Sequence, residues 1–236
     1  MLKLGGLELG TVPRVVAAVC DGVAPRLIAD AKGRGVEVIE ARLDLFDRRE
    51  PGYVIGELAK YQDFPVLATV RSSVEGGGKN LSDEERLALY KLVIPQVAAV
   101  DIELSSKAIL PELTRRTHRA GKLVLISFHD FSRTPDLASL SRVREEAAAA
   151  GADVVKVATL VSSRADLQTL TRFLIDNSDN NIVAVGMGPL GAVTRFLFPA
   201  LGSLLTYTFL GRPTAPGQMD YKTTLELLAK LNPRAL

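Results

Sequence analysis

The chain contains 236 residues, 47% of them apolar and 24% charged, and its 29 basic and 27 acidic side chains leave a formal charge of +2. This composition is ordinary for a globular protein with a full core, and it excludes disordered, collagen-like and small disulfide-rich chains. The single cysteine, Cys20, cannot form an internal disulfide, and with only two histidines a zinc site of Cys and His ligands is hard to assemble. A hard cation held by carboxylates remains possible. Because no run of Lys or Arg occurs, we expect a small-molecule substrate, and neither a nucleic acid nor a membrane as partner.

Residues 1–12 are predicted to be an N-terminal extension of the domain. The apolar stretch that follows, Val12 to Cys20, is interrupted by Pro13 and Arg14 and is far shorter than the ~20 residues of a membrane span. No signal-peptide order of charged, apolar and small residues precedes it. We therefore expect a cytoplasmic protein.

Eight short segments rich in Val, Ile and Ala are predicted to be strands, and they alternate with segments of helical period. The strands are placed near Arg14–Val19, Val36–Leu43, Val66–Val70, Ala98–Leu104, Lys122–Phe128, Asp153–Val157, Asn181–Val185 and Leu204–Tyr207. Among the helices, Ser82–Val93 begins with a capping box to Glu85, and Leu137–Ala150 stops at Gly151. This alternation is typical of parallel βαβ units. Eight units of roughly 30 residues fit a minimal (β/α)8 barrel, so a single catalytic domain over residues 1–236 is expected.

An open, doubly wound sheet would show the same alternation, and the polar residues inside the strands distinguish the two folds. Strands of an open parallel sheet are nearly unbroken apolar runs. Here Glu40, Arg42 and Asp44 share one parity of their segment, as do Asp101 and Glu103 of theirs. Charged groups on a buried strand face are costly unless they pair or line a cavity, and the carboxyl-terminal mouth of a barrel offers such a cavity. The expected fold class is therefore α/β, a (β/α)8 TIM barrel.

Lys156 stands between Val155 and Val157 in an apolar strand, so its ammonium must leave water. Two interpretations stay open. The amine is either half of a buried ion pair, with a carboxylate such as Asp101 or Glu103, or it is a nucleophile. Desolvation lowers the pKa of a lysine from ~10.4 by up to several units, which makes the neutral amine available to attack a ketone and form a Schiff base.

His129 ends the strand that precedes the strand of Lys156, so the two side chains would be neighbours at the rim of a barrel. It is either a solvated loop histidine or an acid/base group, because a pKa near ~6.5 suits taking a proton from carbon and delivering it to a leaving hydroxyl. His118 lies in a basic helical segment, and we assign it no role.

A pocket with more cations than anions is predicted at the same rim, which favours a carboxylate or polyhydroxyl substrate. Its members would be Arg42, Arg71, Arg195, Glu40 and Gln218. The arginines could instead belong to structural ion pairs, an alternative that is stronger for Arg42 than for Arg195. The carboxylates available for such pairs are Asp44, Asp101 and Glu103.

The segment Gly186–Gly191 matches the dinucleotide fingerprint G-x-G-x-x-G, after a strand and before a helix. The acidic residue expected ~20 positions later is missing around Leu205–Arg212, so no nucleotide cofactor is expected. Tight-turn glycines, with room for a ligand at the helix N-terminus, explain the motif as well. Gly76–Gly78 and Gly211–Gln218 have loop compositions and are candidate lids over the mouth.

Six segments in this order resemble type I 3-dehydroquinate dehydratase, a family of the shikimate pathway of aromatic amino-acid biosynthesis, and the resemblance runs from about Val15 to Gln218. They are Glu-x-Arg-x-Asp at Glu40–Asp44, Arg-Ser-x-x-Glu-Gly-Gly at Arg71–Gly77, Ser-x-His-Asp at Ser127–Asp130, Val-Lys-x-Ala at Val155–Ala158, the stretch Met187–Arg195, and Ala-Pro-Gly-Gln at Ala215–Gln218. One of these alone would be a weak signal, whereas six in order are specific. The resemblance implies a (β/α)8 barrel that needs no metal or nucleotide and is usually a homodimer.

The resemblance also implies a role for each matching residue. Lys156 would form a Schiff base with the ketone of 3-dehydroquinate, and His129 would remove the adjacent proton and protonate the departing hydroxyl to give 3-dehydroshikimate and water. Glu75 matches the carboxylate that orients this histidine, and Arg195 matches the residue that holds the substrate carboxylate. The other implied substrate ligands are Glu40, Arg42, Arg71, Thr214 and Gln218.

Two departures from the family pattern are visible. Thr214 stands where many members have Ser, which keeps a hydroxyl, and Ala18 occupies a position where some members carry Ser, which could loosen substrate binding. Two other functions stay open. One is a Schiff-base aldolase that holds a sugar phosphate at Gly186–Gly191, and the other is a catalytically silent barrel that binds a quinate-like metabolite. The presence of both Lys156 and His129 argues against the silent barrel.

Overall fold

The computed structural model describes residues 2–215 and 217–231. Its strands are β1 (Lys3–Leu4), β2 (Leu7–Glu8), β3 (Arg14–Val19), β4 (Val38–Arg42), β5 (Val66–Thr69), β6 (Ala99–Glu103), β7 (Leu123–Asp130), β8 (Val154–Leu160), β9 (Ile182–Met187) and β10 (Leu205–Phe209). Its α-helices are α1 (Pro25–Arg34), α2 (Pro51–Ala59), α3 (Asp83–Val93), α4 (Leu110–Arg119), α5 (Leu137–Ala149), α6 (Arg164–Asp176), α7 (Gly188–Gly191), α8 (Thr194–Ala200) and α9 (Tyr221–Leu231). Short 3-10 helices cover Leu43–Leu45, Ser73–Glu75 and Ile94–Gln96.

Strands β3 to β10 form a parallel barrel in which each strand from β3 to β8 pairs with the next along the chain, and β10 pairs with β3. Between β9 and β10, the Leu204 amide donates to the Ile182 carbonyl (3.0 Å), and the Ala184 amide donates to the Ser203 hydroxyl (3.2 Å). A helix follows each of these strands. The predicted (β/α)8 barrel is therefore confirmed over an open sheet, and the described residues form one domain.

The inward-facing side chains of the barrel divide into an apolar half and a polar half. Toward the amino ends of the strands the interior is filled by Val16, Val38, Leu67, Ala99, Leu125, Val154, Val183 and Leu205. Two residues further along, the same face carries the buried side chains Glu40, Thr69, Asp101, Ser127, Lys156 and Tyr207. Because side chains on a strand alternate with a period of two, both sets point into the barrel. The predicted inward parity is thus confirmed for Glu40 and Asp101.

A small hairpin closes the amino-terminal end of the barrel. β1 and β2 pair antiparallel around Gly5 and Gly6, both of which have positive φ. Leu4 and Leu9, which are 1% and 4% exposed, pack in the same apolar cluster as the aliphatic interior of the barrel. Leu4 and Leu9, which belong to the predicted N-terminal extension, are therefore core side chains of the domain.

Element boundaries differ from the predictions by a few residues. The capping box at Ser82 and Glu85 is present, and the helix that it starts is α3. The parity of Asp44 had suggested a place on the face of β4. However, β4 ends at Arg42, and Asp44 lies in the 3-10 helix that follows. β8 continues to Leu160, which places Lys156 inside the strand with residues on either side paired to β7 and β9.

The glycines of Gly186–Gly191 allow close packing between the end of β9 and α7. A Cβ atom on Gly191 would lie 2.4 Å from the Gly186 carbonyl carbon, and Gly188 has a φ of +79°. The Gly186 amide donates to the Thr194 hydroxyl (2.9 Å). The tight-turn interpretation of this motif is confirmed.

No helix within residues 2–215 and 217–231 is long and apolar enough to cross a membrane.

Candidate active site

One cavity opens at the carboxyl ends of the barrel strands, and all nine site residues singled out from the sequence line it. They are Lys156, His129, Glu75, Glu40, Arg42, Arg71, Arg195, Thr214 and Gln218. Its apolar lining comes from Phe131, Ala158, Val185, Met187 and the Tyr207 ring. The strands bring these distant segments together because the carboxyl ends of all eight strands face the same side of a barrel.

The Lys156 amine lies between two carboxylates deep in the cavity. Its Nζ is 3.0 Å from Asp101 Oδ2 and 3.5 Å from Glu40 Oε1, and it stands 4.2 Å from the centre of the Tyr207 ring. The ion pair with Asp101 that the sequence left open is therefore present. Glu103 is not the partner, since its carboxylate contacts two arginines instead.

Asp101 is held as an anion by three donors. Arg71 and the Ser127 hydroxyl contact Oδ1 at 2.9 and 2.6 Å, and Lys156 contacts Oδ2. Burial alone would raise the pKa of this carboxyl, but the positive charges of Arg71 and Lys156 keep it far below its usual range. Asp101 therefore remains a permanent negative charge beneath the amine.

His129 lies on β7 next to β8, with a side chain that is 9% exposed, so it is not a solvated loop residue. Glu75 Oε2 accepts from the His129 backbone amide and contacts ring Nδ1, both at 3.0 Å. Since this oxygen is an acceptor for the amide, the ring proton belongs on Nδ1, which leaves the lone pair of Nε2 for the cavity. Burial, together with the charges of Arg71 and Lys156, lowers the pKa of His129 well below its usual value, so the ring is neutral.

Glu75 reaches the histidine from the 3-10 helix Ser73–Glu75, and its side chain is 8% exposed. The Ser105 hydroxyl donates to Oε1, the oxygen that does not face His129. Burial raises the pKa of Glu75 to about 7, while the Ser105 hydrogen bond and the nearby charge of Arg71 act against this rise.

Two of the three arginines are committed to carboxylates. Arg42 forms a bidentate pair with Asp44, at 2.9 and 2.8 Å, and Arg71 contacts Glu103 and Asp101 at 2.8 and 2.9 Å. The alternative of structural ion pairs is therefore confirmed for both. Both side chains also line the cavity.

Arg195 has a different environment. It is 4% exposed and donates only to backbone oxygens among the described residues, from Nε to Gly217 (3.1 Å) and from Nη1 to Tyr207 (3.0 Å). Burial without a compensating anion lowers its pKa from 12.5 to about 10. An uncompensated guanidinium in a cavity is a site for an anionic group of a ligand.

The loop after β10 is folded around the side chain of Gln218. Gln218 Oε1 accepts from the Thr214 amide (2.8 Å), the Thr214 hydroxyl (3.0 Å) and the Ala215 amide (3.1 Å). With its oxygen so engaged, the amide nitrogen of Gln218 is the group left to donate into the cavity. Arg42 Nη1 donates to the Thr214 carbonyl (3.3 Å), which ties this loop to β4. Pro216 of the Ala-Pro-Gly-Gln segment lies outside the described residues.

Sequence reasoning missed several residues around the site. Ser105, Phe131 and Tyr207 were not singled out, and Ser127 was named in a motif but given no role, although Ser127 and Tyr207 have the inward parity of Lys156. The Phe131 ring stacks on the His129 ring, with centroids 6.3 Å apart and planes 16° apart. Ser105 lies in a turn, where no periodicity marks it.

The second histidine, His118, and the single cysteine, Cys20, do not line the cavity. His118 is an exposed residue on α4 that contacts Asp153 at 2.9 Å, and buried Cys20 accepts a hydrogen bond from Arg212. Within the described part of the chain, no group of three or more His, Cys, Asp or Glu side chains is placed to hold a metal ion.

Comparison with known proteins gives one consistent family. The type I 3-dehydroquinase family matches residues 23–233. The 3-dehydroquinate dehydratase of Methanothermobacter thermautotrophicus is 36% identical over 225 residues, which cover 93% of this chain and 98% of the relative. That of Thermodesulfovibrio yellowstonii is 32% identical over 82% of this chain and 85% of the relative.

Solved structures agree with this relationship. The 3-dehydroquinate dehydratase of Geobacillus kaustophilus superimposes with a TM-score of 0.88 at 26% identity, covering 98% of this chain and 96% of that one. The enzyme from Aquifex aeolicus gives a TM-score of 0.80 at 29% identity, with 92% and 98% covered. The chain therefore belongs to the type I 3-dehydroquinase family, whose members dehydrate 3-dehydroquinate in the shikimate pathway.

Proposed function

We propose that this chain is a lyase that converts 3-dehydroquinate to 3-dehydroshikimate and water through a Schiff base on Lys156. The observation that carries the proposal is the pairing of a buried lysine with a neutral histidine on the adjacent strand, both facing one cavity. Burial disfavours bulk water around the amine and supports imine chemistry at this position.

In the proposed reaction, the Lys156 ammonium, which is paired with Asp101 and Glu40, releases a proton, and the resulting amine attacks the ketone carbon. The hydroxyl group of the carbinolamine takes up that proton and leaves as water, which gives an iminium. The iminium withdraws electrons from the adjacent carbon, and Nε2 of His129 takes a proton from that carbon to leave an enamine. The electron pair of the enamine then expels the hydroxyl group one carbon further on, which leaves as water with the proton from His129. Hydrolysis of the remaining imine releases the product and restores the free amine.

The charge distribution of the cavity supports this substrate class. Arg195, with no carboxylate partner among the described residues, would bind the substrate carboxylate. The carboxylate of Glu40, which accepts from the Thr69 hydroxyl at 2.9 Å, would accept from a ring hydroxyl. We assign the remaining ring contacts to Arg42, Arg71, Thr214 and Gln218, whose side chains line the same cavity.

The two alternatives have less support. An aldolase would hold its sugar phosphate at Gly186–Gly191, but those glycines are in close contact with each other, and α7 spans only Gly188–Gly191. A silent barrel would have no need of the neutral, Glu75-bonded His129.

The family resemblance also supports a homodimer and a cytoplasmic location. Light scattering tests the first and should give twice the 25.4 kDa of one chain, and cell fractionation tests the second.

The chemistry is tested by trapping. The protein is incubated with 3-dehydroquinate and sodium borohydride, the adduct is located by mass spectrometry, and the conjugated enone of the product is followed by ultraviolet absorbance. We expect an adduct on Lys156 and enone formation in the parent protein, and neither in Lys156→Ala. The control Lys107→Ala, which removes a lysine on the surface (65% exposed), should behave as the parent does.

His129→Ala separates the two roles. It should still form the borohydride-trapped imine but should give no enone, because the amine is intact and the base is missing. An adduct on a different lysine, or an adduct in the parent without enone, would contradict the dehydratase mechanism. Equal loss of the imine in Lys156→Ala and His129→Ala would contradict the division of roles.

A further inference from the structure

The carboxylate of Glu75 uses its two oxygens for different purposes. Oε2 receives both the amide and the ring Nδ1 of His129. Oε1 receives the Ser105 hydroxyl, which comes from the turn that follows β6. The carboxylate is therefore clamped between two strand ends, β6 on one side and β7 on the other.

The ionisation of Glu75 decides which nitrogen of His129 can act as a base. An ionised carboxylate accepts from Nδ1–H and leaves the lone pair on Nε2, which faces the cavity. If Oε2 carried a proton, the carboxylic acid would donate a hydrogen bond to Nδ1. The neutral ring of His129 would then hold its own proton on Nε2. Such a histidine cannot remove a proton from the substrate.

Charged groups around Glu75 act in both directions. The Arg71 guanidinium on the β5 side favours the ionised form, and the Glu103 carboxylate at the end of β6 opposes it. His129 is neutral and contributes donors but no charge. Ser105 supplies the one side-chain hydrogen bond to Oε1 among the described residues, and its donor stabilises the carboxylate over the carboxylic acid.

We propose that Ser105 is a positioning residue that keeps Glu75 ionised and turned toward His129, and so keeps Nε2 of His129 available as the base. This inference rests on the proposed dehydratase mechanism. Ser105 does not line the cavity, so its effect on the reaction passes through Glu75 and His129. Formation of the imine on Lys156 does not depend on it.

The test compares Ser105→Ala, Ser105→Thr and Ser73→Ala. Thr keeps the hydroxyl. Ser73 is an exposed serine in the same 3-10 helix as Glu75, and its hydroxyl contacts Asn80 instead of Glu75, so it is a matched control. For each variant, kcat and KM are measured from pH 5 to pH 9, and the imine is trapped with borohydride.

In Ser105→Ala the acidic limb of the kcat profile should move up by about one pH unit, because one hydrogen bond to a charged group is lost. With Glu75 titrating at about 7, kcat at neutral pH should fall by roughly 5-fold while KM changes less than 2-fold. The amount of trapped imine should stay the same or rise. Ser105→Thr and Ser73→Ala should both keep the parent profile.

An unshifted acidic limb in Ser105→Ala would overturn the role of Ser105, and so would an equal shift in Ser73→Ala. A drop in kcat that is the same at every pH would point to a general structural loss and would also refute it. Failure of the dehydratase proposal is a separate result, since the parent protein itself would then form no enone. Failure of the Ser105 proposal leaves turnover by the parent intact.

Discussion

Replacing Arg195 by methionine should separate substrate binding from folding. Arg195 and Arg71 are both buried cations of the cavity, at 4% and 3% exposure, but only Arg71 faces buried carboxylates. We therefore expect Arg195→Met to lose substrate affinity with a smaller loss of stability than Arg71→Met. Methionine is chosen for both because it fills similar space without charge.

The magnitudes follow from the contacts of each guanidinium. For Arg195, the fall of the pKa from 12.5 to about 10 corresponds to a burial cost of about 3 kcal/mol. Its hydrogen bonds to the Tyr207 and Gly217 carbonyls contribute about 1.5–3 kcal/mol each, so their loss, set against the relief of the burial cost, lowers the stability by about 3 kcal/mol at most. Loss of a buried charge-assisted contact to the substrate costs at least ~2 kcal/mol, which is a decrease of about 30-fold or more in kcat/KM.

Removal of the Arg71 side chain leaves Asp101 and Glu103 with less compensation, and both are fully buried. Breaking a buried ion pair in this way costs about 3–5 kcal/mol. Urea unfolding gives the stabilities, and initial rates at several substrate concentrations give KM and kcat. The reasoning is refuted if Arg195→Met unfolds as readily as Arg71→Met, or if its kcat/KM stays within 3-fold of the parent value.

Two further predictions concern the hairpin and Glu75. Leu4→Ala should lower the free energy of unfolding in urea by about 2–5 kcal/mol with unchanged KM, because Leu4 fills the end of the barrel opposite the cavity. The control is Lys3→Ala, which removes an exposed side chain on the same strand and should change the free energy of unfolding little. Glu75→Gln should be more stable than the parent above pH 7, by about 2–3 kcal/mol, and equal to it below pH 4.5. The sign follows because the pKa of Glu75 is raised on folding, so the folded parent loses stability as the pH rises from the unfolded value of 4.5 through about 7. A Leu4→Ala variant as stable as the parent, or a Glu75→Gln variant whose advantage grows toward acidic pH, would contradict these assignments.

Much of the fold and the site could be predicted from periodicity. The parity of Glu40, Asp101 and Lys156 within apolar segments indicated a strand face that is buried yet polar, and a barrel interior is where such a face is tolerated. His129 followed from its place at the end of the neighbouring strand. Both arguments need only the repeat of the strand and the order of the strands along the chain.

Other features could not be predicted because they depend on which loops meet in space. Ser105 and Glu75 are 30 positions apart, and nothing local to either residue indicates their hydrogen bond. The hairpin at Lys3–Glu8 is too short to show a pattern, and its role depends on the open end of the barrel that it covers. Asp44 was expected on the strand but lies in the 3-10 turn that follows it, and it accepts hydrogen bonds from Arg42 there.

The sequence by itself determined the barrel, because alternation along a strand decides which side chains face inward. It also identified a set of charged residues at the mouth, in part from this alternation and in part from the family resemblance. Only the tertiary structure decided how the charges of that set are compensated. Arg42 and Arg71 are paired with carboxylates, while Arg195 contacts only backbone oxygens in the described part of the chain. The physical reason is that the strength of a buried charge depends on its neighbours within a few ångströms, and those neighbours come from different strands and loops.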